Sequence, residues 1–245
     1  MRDGLGAALT EASTPLAAAD GLCHACVDLL GVDGASVSLM DTGALQGTFG
    51  SSNELSRMLD ELQFTYGQGP CLDAVATGRP VIAENLTSPE ESRWPVLSEA
   101  LLGEGIQAVF SLPVAVARTP IGALDLYRHV SGPLDEAAFA GGLWAASLAS
   151  LPVLALMASD ADWPALSQSA DSIEELASLE RVEVYQATGM IVAALGVTAA
   201  DALVRLRSYA IAHSLTASAV AYLIVKRELV ITDEWDAPDD GAGVR

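Results

Sequence analysis

The residues best suited to chemistry are the cysteines, and their spacing limits what they can do. Cys23 and Cys26 stand one helical turn apart in the sequence CHAC, a spacing that can begin a zinc or redox site. No second CxxC pair completes a zinc site, and the histidine falls inside the pair rather than after it, as haem attachment requires. We therefore predict that both cysteines are buried packing residues.

The other reactive side chains form no recognisable catalytic set. Cys71 follows Gly-Pro at a predicted helix start, which could lower its pKa, although a structural role is favoured. The three histidines, at 24, 129 and 213, lie too far apart for a local ligand motif. The GQGPC sequence lacks the lysine of a phosphate-binding loop, and no nucleophile elbow is present. We predict no catalytic residues, no metal site and no enzymatic activity.

Composition restricts the partners and the compartment. The chain has 245 residues, 51% of them hydrophobic, which is enough for one or two domains with cores. Its formal net charge of -20 repels DNA and anionic membranes at long range, so any nucleic-acid contact needs a local patch. The N-terminus has no secretory pattern, and three cysteines form no disulfide framework. We expect a cytoplasmic protein that binds neither DNA nor membranes.

The first two thirds of the chain combine helix and strand patterns. Leucines at helical spacing predict a helix over residues 5–31 with a break at Pro15. Alternating residues predict a hairpin of GASVSLMD and ALQGTFGSS. Further strands are predicted at 79–86 and as a pair within 105–130 around an Arg118–Gly122 turn, with helices near 53–62 and in RWPVLSEALLGEG. This mixture indicates an α+β fold of about five strands, mostly in hairpin order.

An uncharged run at residues 137–159, AAFAGGLWAASLASLPVLALMAS, is long enough to span a bilayer. It is rich in Ala, Ser and Gly, contains Pro152, and has acidic flanks without a basic anchor. We therefore predict a buried or dimer-packed helix there.

Only helix patterns follow this run. Asp, Ser and Pro in SDADWPALSQSADS predict a linker, and helices are expected at about 172–195, 199–213 and 216–229. Thr198 with Asp201 resembles a capping box for the second of them. The predicted domains are residues 1–158, a linker at 159–170, a helical domain at 171–233 and a polar tail at 234–245.

The segment GQGPCLDAVATGRPV, with RWP at 93–95 and IGALDLY at 121–127, resembles the GAF domain of bacterial signalling proteins. The resemblance covers roughly residues 5–158. It implies a central antiparallel sheet flanked by helices, with a pocket for a small ligand, or a dimerisation unit. The Asn-Lys-Phe-Asp-Glu type of signature found in GAF domains that bind cyclic nucleotides has no match here, so the ligand, if one exists, is unknown.

Aromatic and polarisable residues of the sheet and its covering loops are the candidates for the ligand pocket, with ordinary core packing as the alternative for each. They are Phe49, Phe64, Tyr66, Cys71, Trp94, Phe110 and Tyr127.

The C-terminal helices resemble the ANTAR module, a three-helix RNA-binding domain of transcription antiterminators. The residues that carry the resemblance are Ala187, Gly189, Met190, Gly196, Ala202, Leu206, Arg207, Ala210 and the AVAYLIV run. The resemblance implies that the module binds paired RNA hairpins, usually as a homodimer, and prevents a terminator from forming. Ala202, Leu206 and Ala210 form a seam at helical spacing, and Gly189 is expected to let a neighbouring backbone approach closely.

Contact with RNA requires charge and hydrogen-bond donors on the outside of these helices. The candidates are Thr188, Arg205, Arg207, Tyr209, His213, Ser214 and Thr216. The family pattern carries Lys or Arg where Thr188 stands, and residues 171–235 hold five basic against nine acidic side chains. The sequence thus leaves two interpretations open, a signal-responsive RNA-binding antitermination regulator and a protein-interaction scaffold with a degenerate ANTAR module.

Overall fold

A computed structural model of the chain describes residues 1–10, 12–41, 44–158 and 181–232. The predicted linker, the beginning of the helical domain and the polar tail from residue 234 onward lie outside the described residues. The chain divides into two compact units. The first comprises Met1–Gln63 and Gln68–Glu180, and the second comprises Phe64–Gly67 and Arg181–Arg245.

The first unit is built on one five-stranded sheet of order β2-β1-β5-β4-β3, in which every neighbouring pair is antiparallel. Its strands are β1 (Gly34–Asp41), β2 (Ala44–Ser51), β3 (Val81–Ala83), β4 (Ala108–Val116) and β5 (Thr119–Arg128). Two hairpins, β1–β2 and β4–β5, supply four of the strands, as predicted from the alternating runs of the first and the apolar pair of the second. The second hairpin turns at Ala117 and Arg118, both with positive φ, slightly before the expected position.

Strand alternation separates an apolar face from a polar face of the sheet. The apolar face packs against α1 (Arg2–Thr10), α2 (Pro15–Leu30) and α6 (Glu136–Ala158). The break predicted at Pro15 is the start of α2, which Thr14 caps through its side chain. The strand residues of this core are Ala35, Val37, Phe49, Ala108, Phe110, Leu112, Val114, Leu124 and Leu126, and Cys23 and Cys26 of α2 are buried among them, as predicted.

Helix α6 corresponds to the uncharged run, and its small residues lie against the core. A Cβ atom at Gly142 would stand 2.8 Å from Leu112 Cδ1. Among the described helices α6 has the length and hydropathy of a membrane span, with 44% of its most apolar stretch buried. The helices Val182–Leu195 and Ala199–Ala212 pass the same test only jointly, across a 107° bend. The close packing of α6 on the sheet identifies it as a core helix of the first unit.

The polar face of the sheet lies under α3 (Glu54–Tyr66) and α4 (Pro70–Thr77), and α5 (Pro95–Gly103) follows β3 in the chain. The fold of the first unit is therefore α+β with an antiparallel sheet flanked by helices, which confirms this part of the prediction.

Among its described residues, the second unit contains the end of α3 and three further helices, α7 (Val182–Leu195), α8 (Ala199–Ala212) and α9 (Ala217–Val225). Thr198 and Thr216 cap the second and third through their side chains. The predicted seam of Ala202, Leu206 and Ala210 is fully buried against residues of α7 and α9. The role expected of Gly189 is wrong, because no atom outside its own helix turns lies within 4 Å of a Cβ built there.

Candidate functional site

A row of polar side chains crosses the buried polar face of the sheet. In the strand register Ser36 of β1 lies opposite Asp125 of β5, which in turn lies opposite Ser111 of β4. All three are fully buried. Ser111 Oγ donates a hydrogen bond of 2.5 Å to Asp125 Oδ1. Residues directly opposite in antiparallel strands have adjacent side chains, so the backbone register alone brings these groups together.

Helix α3 adds a second set of polar groups from above the sheet. Asp60 and Gln63, about one turn apart, both face inward and are fully buried. Asp60 accepts hydrogen bonds from Ser38 Oγ at 2.5 Å and from Thr48 Oγ1 at 2.6 Å. Gln63 Nε2 donates to Asp125 Oδ2 at 2.6 Å. We call Ser36, Ser38, Asp60, Gln63, Ser111 and Asp125 the polar cluster.

Burial governs the protonation of the polar cluster. It raises the pKa of Asp125 to about 7; hydrogen bonds from Ser111 and Gln63 act in the opposite direction, and the charge of Asp60 adds to the increase. Burial likewise raises the pKa of Cys71 well above its usual value, with Asp125 and Asp60 adding to the effect and a hydrogen bond with Ser38 opposing it. Cys71 is therefore held as a thiol, because desolvation outweighs any effect of its helix N-terminus.

The GQGPC segment joins α3 to α4 and shapes one side of the cluster. Gly69, the N-cap of α4, has φ of 146°, and a Cβ there would lie 2.6 Å from Gln63 Oε1. Since glycine has no side chain to cap the helix, Gln63 does so instead, because its Oε1 accepts the Cys71 backbone N–H at 2.8 Å. Gln63 therefore links the carboxylate of Asp125 to the N-terminus of α4 through one amide group.

The proposed pocket residues of the first unit do not form one site. Phe49 and Phe110 lie on the apolar face, in the core with α2 and α6. Cys71 and Tyr127 belong to the other side, where the Tyr127 hydroxyl donates to Asn53 Oδ1 at 3.2 Å. Trp94 is buried and its indole N–H donates to Asp73 Oδ2 at 3.1 Å.

Two further pocket candidates, Phe64 and Tyr66, belong to the second unit. There the guanidinium groups of Arg181 and Arg207 lie 4.0 and 4.6 Å from the centroid of the Phe64 ring. Thr65 Oγ1, beside Phe64, accepts the backbone N–H of Ala217 at 2.9 Å. Phe64 therefore contacts a residue proposed for RNA binding, and Tyr66 is partly buried.

The other RNA candidates mostly have local partners. Thr188 Oγ1 donates to the Val184 carbonyl at 2.7 Å, and Thr216 is the N-cap of α9. His213 stacks on Tyr209 with ring centroids 3.9 Å apart. Ser214 is exposed with φ of 54°, and Arg205 is partly buried in the middle of α8.

The polar cluster contains none of the residues singled out from the sequence. The serines of β1 follow the alternation that predicts the strand, but the pattern does not say that their face is buried. The acidic Asp60 and polar Gln63 on α3 look like a solvent-facing stripe until the sheet is in place. Among the described residues no group of three or more His, Cys, Asp and Glu could hold a metal ion.

The first unit is therefore an α+β domain with a five-stranded antiparallel sheet of order β2-β1-β5-β4-β3 and helices on both faces. A family model for the GAF domain matches residues 12–142, more than half of the chain. The chain belongs to the GAF domain family, whose domains serve in signal sensing and regulation.

The chain is also similar to solved structures, one of which, with a TM-score above 0.5, shows the same fold. The GAF domain of a phosphoenolpyruvate-protein phosphotransferase from Coxiella burnetii matches with a TM-score of 0.51 at 15% identity, over 65% of this chain and 94% of that one. The corresponding GAF domain from Acinetobacter has a TM-score of 0.48 at 17% identity, over 64% and 94%. A domain of a sensor histidine kinase protein from Sinorhizobium meliloti 1021 has a TM-score of 0.46 at 20% identity, over 69% and 98%. No curated protein matches the chain.

Proposed function

We propose that this protein is a cytoplasmic, signal-responsive regulator without catalytic activity, in which the GAF domain senses a small ligand and the helical unit binds paired RNA hairpins to promote transcription antitermination. The observation that carries this proposal is the buried seam of Ala202, Leu206 and Ala210, because it matches the ANTAR-like pattern on which the RNA function rests. With that seam inside, the opposite side of α8 is exposed at Val204, Ser208 and Ile211, and Arg205 and Tyr209 are partly exposed.

Two of the basic groups of the helical unit lie close together. Arg181 and Arg207 share the ring of Phe64, so two of the basic groups of the helical unit lie within one small area. Arg181 is only 8% exposed, whereas Arg207 is partly exposed, so Arg207 is the member of this pair that we propose for a phosphate contact. Lys226 lies elsewhere, 5.3 Å from the Tyr222 ring.

A second copy of the chain is the partner that we propose for the outer face of α6. Leu151 and Leu154 on that face are 52% and 40% exposed, and Trp144 is 38% exposed. Outward residues recur at intervals of three and four, which is the spacing of a helix seam between two copies. They are Ala137, Ala140, Trp144, Ser147, Leu151 and Leu154. Sedimentation should show a homodimer that becomes a monomer with Leu151→Glu, and a wild-type monomer would contradict this proposal.

RNA binding is tested with a paired-hairpin RNA over a salt series, comparing wild type with an Arg205→Ala, Arg207→Ala double variant. For each phosphate interaction that the substitutions remove, the slope of log affinity against log salt should become shallower by about 0.7–0.9. The matched control is Arg79→Ala, Arg118→Ala, which removes the same charge from exposed positions of the first unit. Equal decreases in affinity in the two double variants would mean that net charge, rather than an RNA surface on α8, is responsible.

A specific observation favours the alternative, a protein-interaction scaffold. Val204, Ile211 and Leu215 are exposed along one side of α8 and the turn after it, and Val204 is 61% exposed. Absence of RNA binding at low salt, together with loss of a protein partner on Val204→Glu, would establish this function in place of the first.

A further inference from the structure

The groups that act on Asp125 are neutral or negatively charged. Its hydrogen-bond donors, Ser111 and Gln63, are neutral, and the charged group that acts on it is a second carboxylate, that of Asp60. A buried carboxylate in such surroundings is stabilised strongly by a cation, because the low local dielectric increases the attraction.

A second group in the same row lacks a partner. Ser36 Oγ is fully buried and makes no hydrogen bond within the described part of the chain, although Ser36 stands directly across the strand pair from Asp125. A buried hydroxyl without a partner lowers stability, because no hydrogen bond compensates for its removal from water. The Ser36 hydroxyl, which lies beside a carboxylate, is positioned to form a hydrogen bond with a ligand group that enters the cluster.

The hydrogen bond that the Gln63 amide donates to Asp125 is one that a ligand could replace. Its Nε2 donates to Asp125 Oδ2, while its Oε1 holds the Cys71 N–H at the start of α4. A ligand carrying N–H donors and a positive charge offers Asp125 a charge-assisted bond, which is stronger than the neutral amide bond.

We propose that the polar cluster binds the ammonium or amidinium head of a small organic cation, with Asp125 as counter-ion and Ser36 Oγ as an acceptor, in exchange for the Gln63 amide. This inference rests on the proposed ligand-sensing function of the GAF domain and specifies its ligand class. A metal ion fits less well, because the cluster offers only two carboxylates, and among the described residues no group of three or more His, Cys, Asp and Glu could hold a metal ion.

Exchange of Gln63 also gives the ligand a way to act on the fold. When Gln63 leaves Asp125, the Cys71 N–H loses or shifts its acceptor, so the cap of α4 responds to occupancy of the site. Because Asp125 titrates near pH 7, a cation displaces its proton to solvent, and binding strengthens as pH rises through that value. The titratable groups that face Asp125 are Asp60 on α3 and Cys71 on α4.

The test uses the full chain and four probes at constant ionic strength: acetamidinium, methylammonium, tetramethylammonium, which has no N–H donor, and neutral acetamide. Acetamidinium and methylammonium should raise the Tm saturably, and more at pH 8 than at pH 6. Asp125→Asn should weaken the apparent affinity by at least about tenfold. Ser36→Ala should weaken it by a smaller factor, which gives a second variant if Asp125→Asn does not fold.

Asp28→Asn, at an exposed position of α2, is the matched control and should leave the response unchanged. A Tm rise of equal size with tetramethylammonium, a response retained in Asp125→Asn, or no response in wild type would overturn the inference. Hairpin RNA binding is measured on the same samples. RNA binding without a response to the cations overturns only this inference, whereas a response without RNA binding overturns only the RNA function.

Discussion

The two faces of the central sheet are made by the same strands but are packed in opposite ways. Toward α2 and α6 each strand presents aliphatic and aromatic side chains that form the core. Toward α3 and α4 the alternate residues of those strands present serines and Asp125, which are equally buried but held by hydrogen bonds. Burial of apolar area stabilises a fold, whereas burial of hydrogen-bonded carboxylates contributes little or costs free energy. We infer that one face holds the domain together and the other is kept polar for binding.

Truncation on the apolar face should have the largest effect. Phe110→Ala removes a fully buried ring between the sheet and the helices, and should lower the free energy of unfolding by about 3–5 kcal/mol. Urea unfolding measures this decrease. Val130→Ala, at an exposed position, is the control and should change stability by less than about 0.5 kcal/mol. A decrease below about 1 kcal/mol for Phe110→Ala would refute the assignment of stability to this face.

The polar face should make stability depend on pH. The folded-state pKa of Asp125, about 7, lies above its unfolded value near 4. Protonated Asp125 therefore contributes fully to the free energy of unfolding below pH 4, and this contribution is lost as the pH rises toward 7. The free energy of unfolding should therefore fall by up to roughly 1.4 kcal/mol per pH unit over this range. Unfolding curves between pH 4.5 and 8 test this, and Asp125→Asn should remove the slope while Asp28→Asn should retain it. A slope that is the same in all three proteins would assign the pH dependence to other groups.

Removal of the Gln63 amide, which links Asp125 to the start of α4, should have an intermediate effect on stability. Gln63→Leu has similar volume but leaves Asp125 Oδ2 and the Cys71 N–H without this partner, so stability should fall by about 1–3 kcal/mol at pH 7. Chemical denaturation gives the value, and hydrogen exchange should show faster opening at the start of α4. Gln107→Leu, at a partly buried position elsewhere, controls for exchanging an amide for an apolar group.

The smallest effect should have the opposite sign. Ser36→Ala removes a buried hydroxyl that has no hydrogen-bond partner, and should raise stability by up to about 1 kcal/mol. A thermal melt detects this gain. Ser38→Ala is the informative comparison, because it removes the hydrogen bond that Ser38 Oγ donates to Asp60 and should therefore lower stability. If Ser36→Ala also lowered stability, Ser36 would be part of the structural network and not an open ligand contact.

The sequence by itself determined the elements of this protein and much of the family assignment. Period-two alternation marks the hairpins, Pro15 and Thr198 mark helix starts, and the glycines of GQGPC mark a tight connection. These signals are local, because they depend on residues a few positions apart in the chain.

Only the tertiary structure decided which residues meet at the candidate site. Asp125 and Gln63 are separated by 62 positions and Asp60 and Ser38 by 22, so no sequence window contains the polar cluster. Alternation shows that Ser36 and Val37 face opposite ways, but not that both faces are covered by helices. For the same reason, Phe49 and Phe110 lie on one face of the sheet and Tyr127 on the other. Burial depends on what packs against a strand, and this protein places a helix over each side.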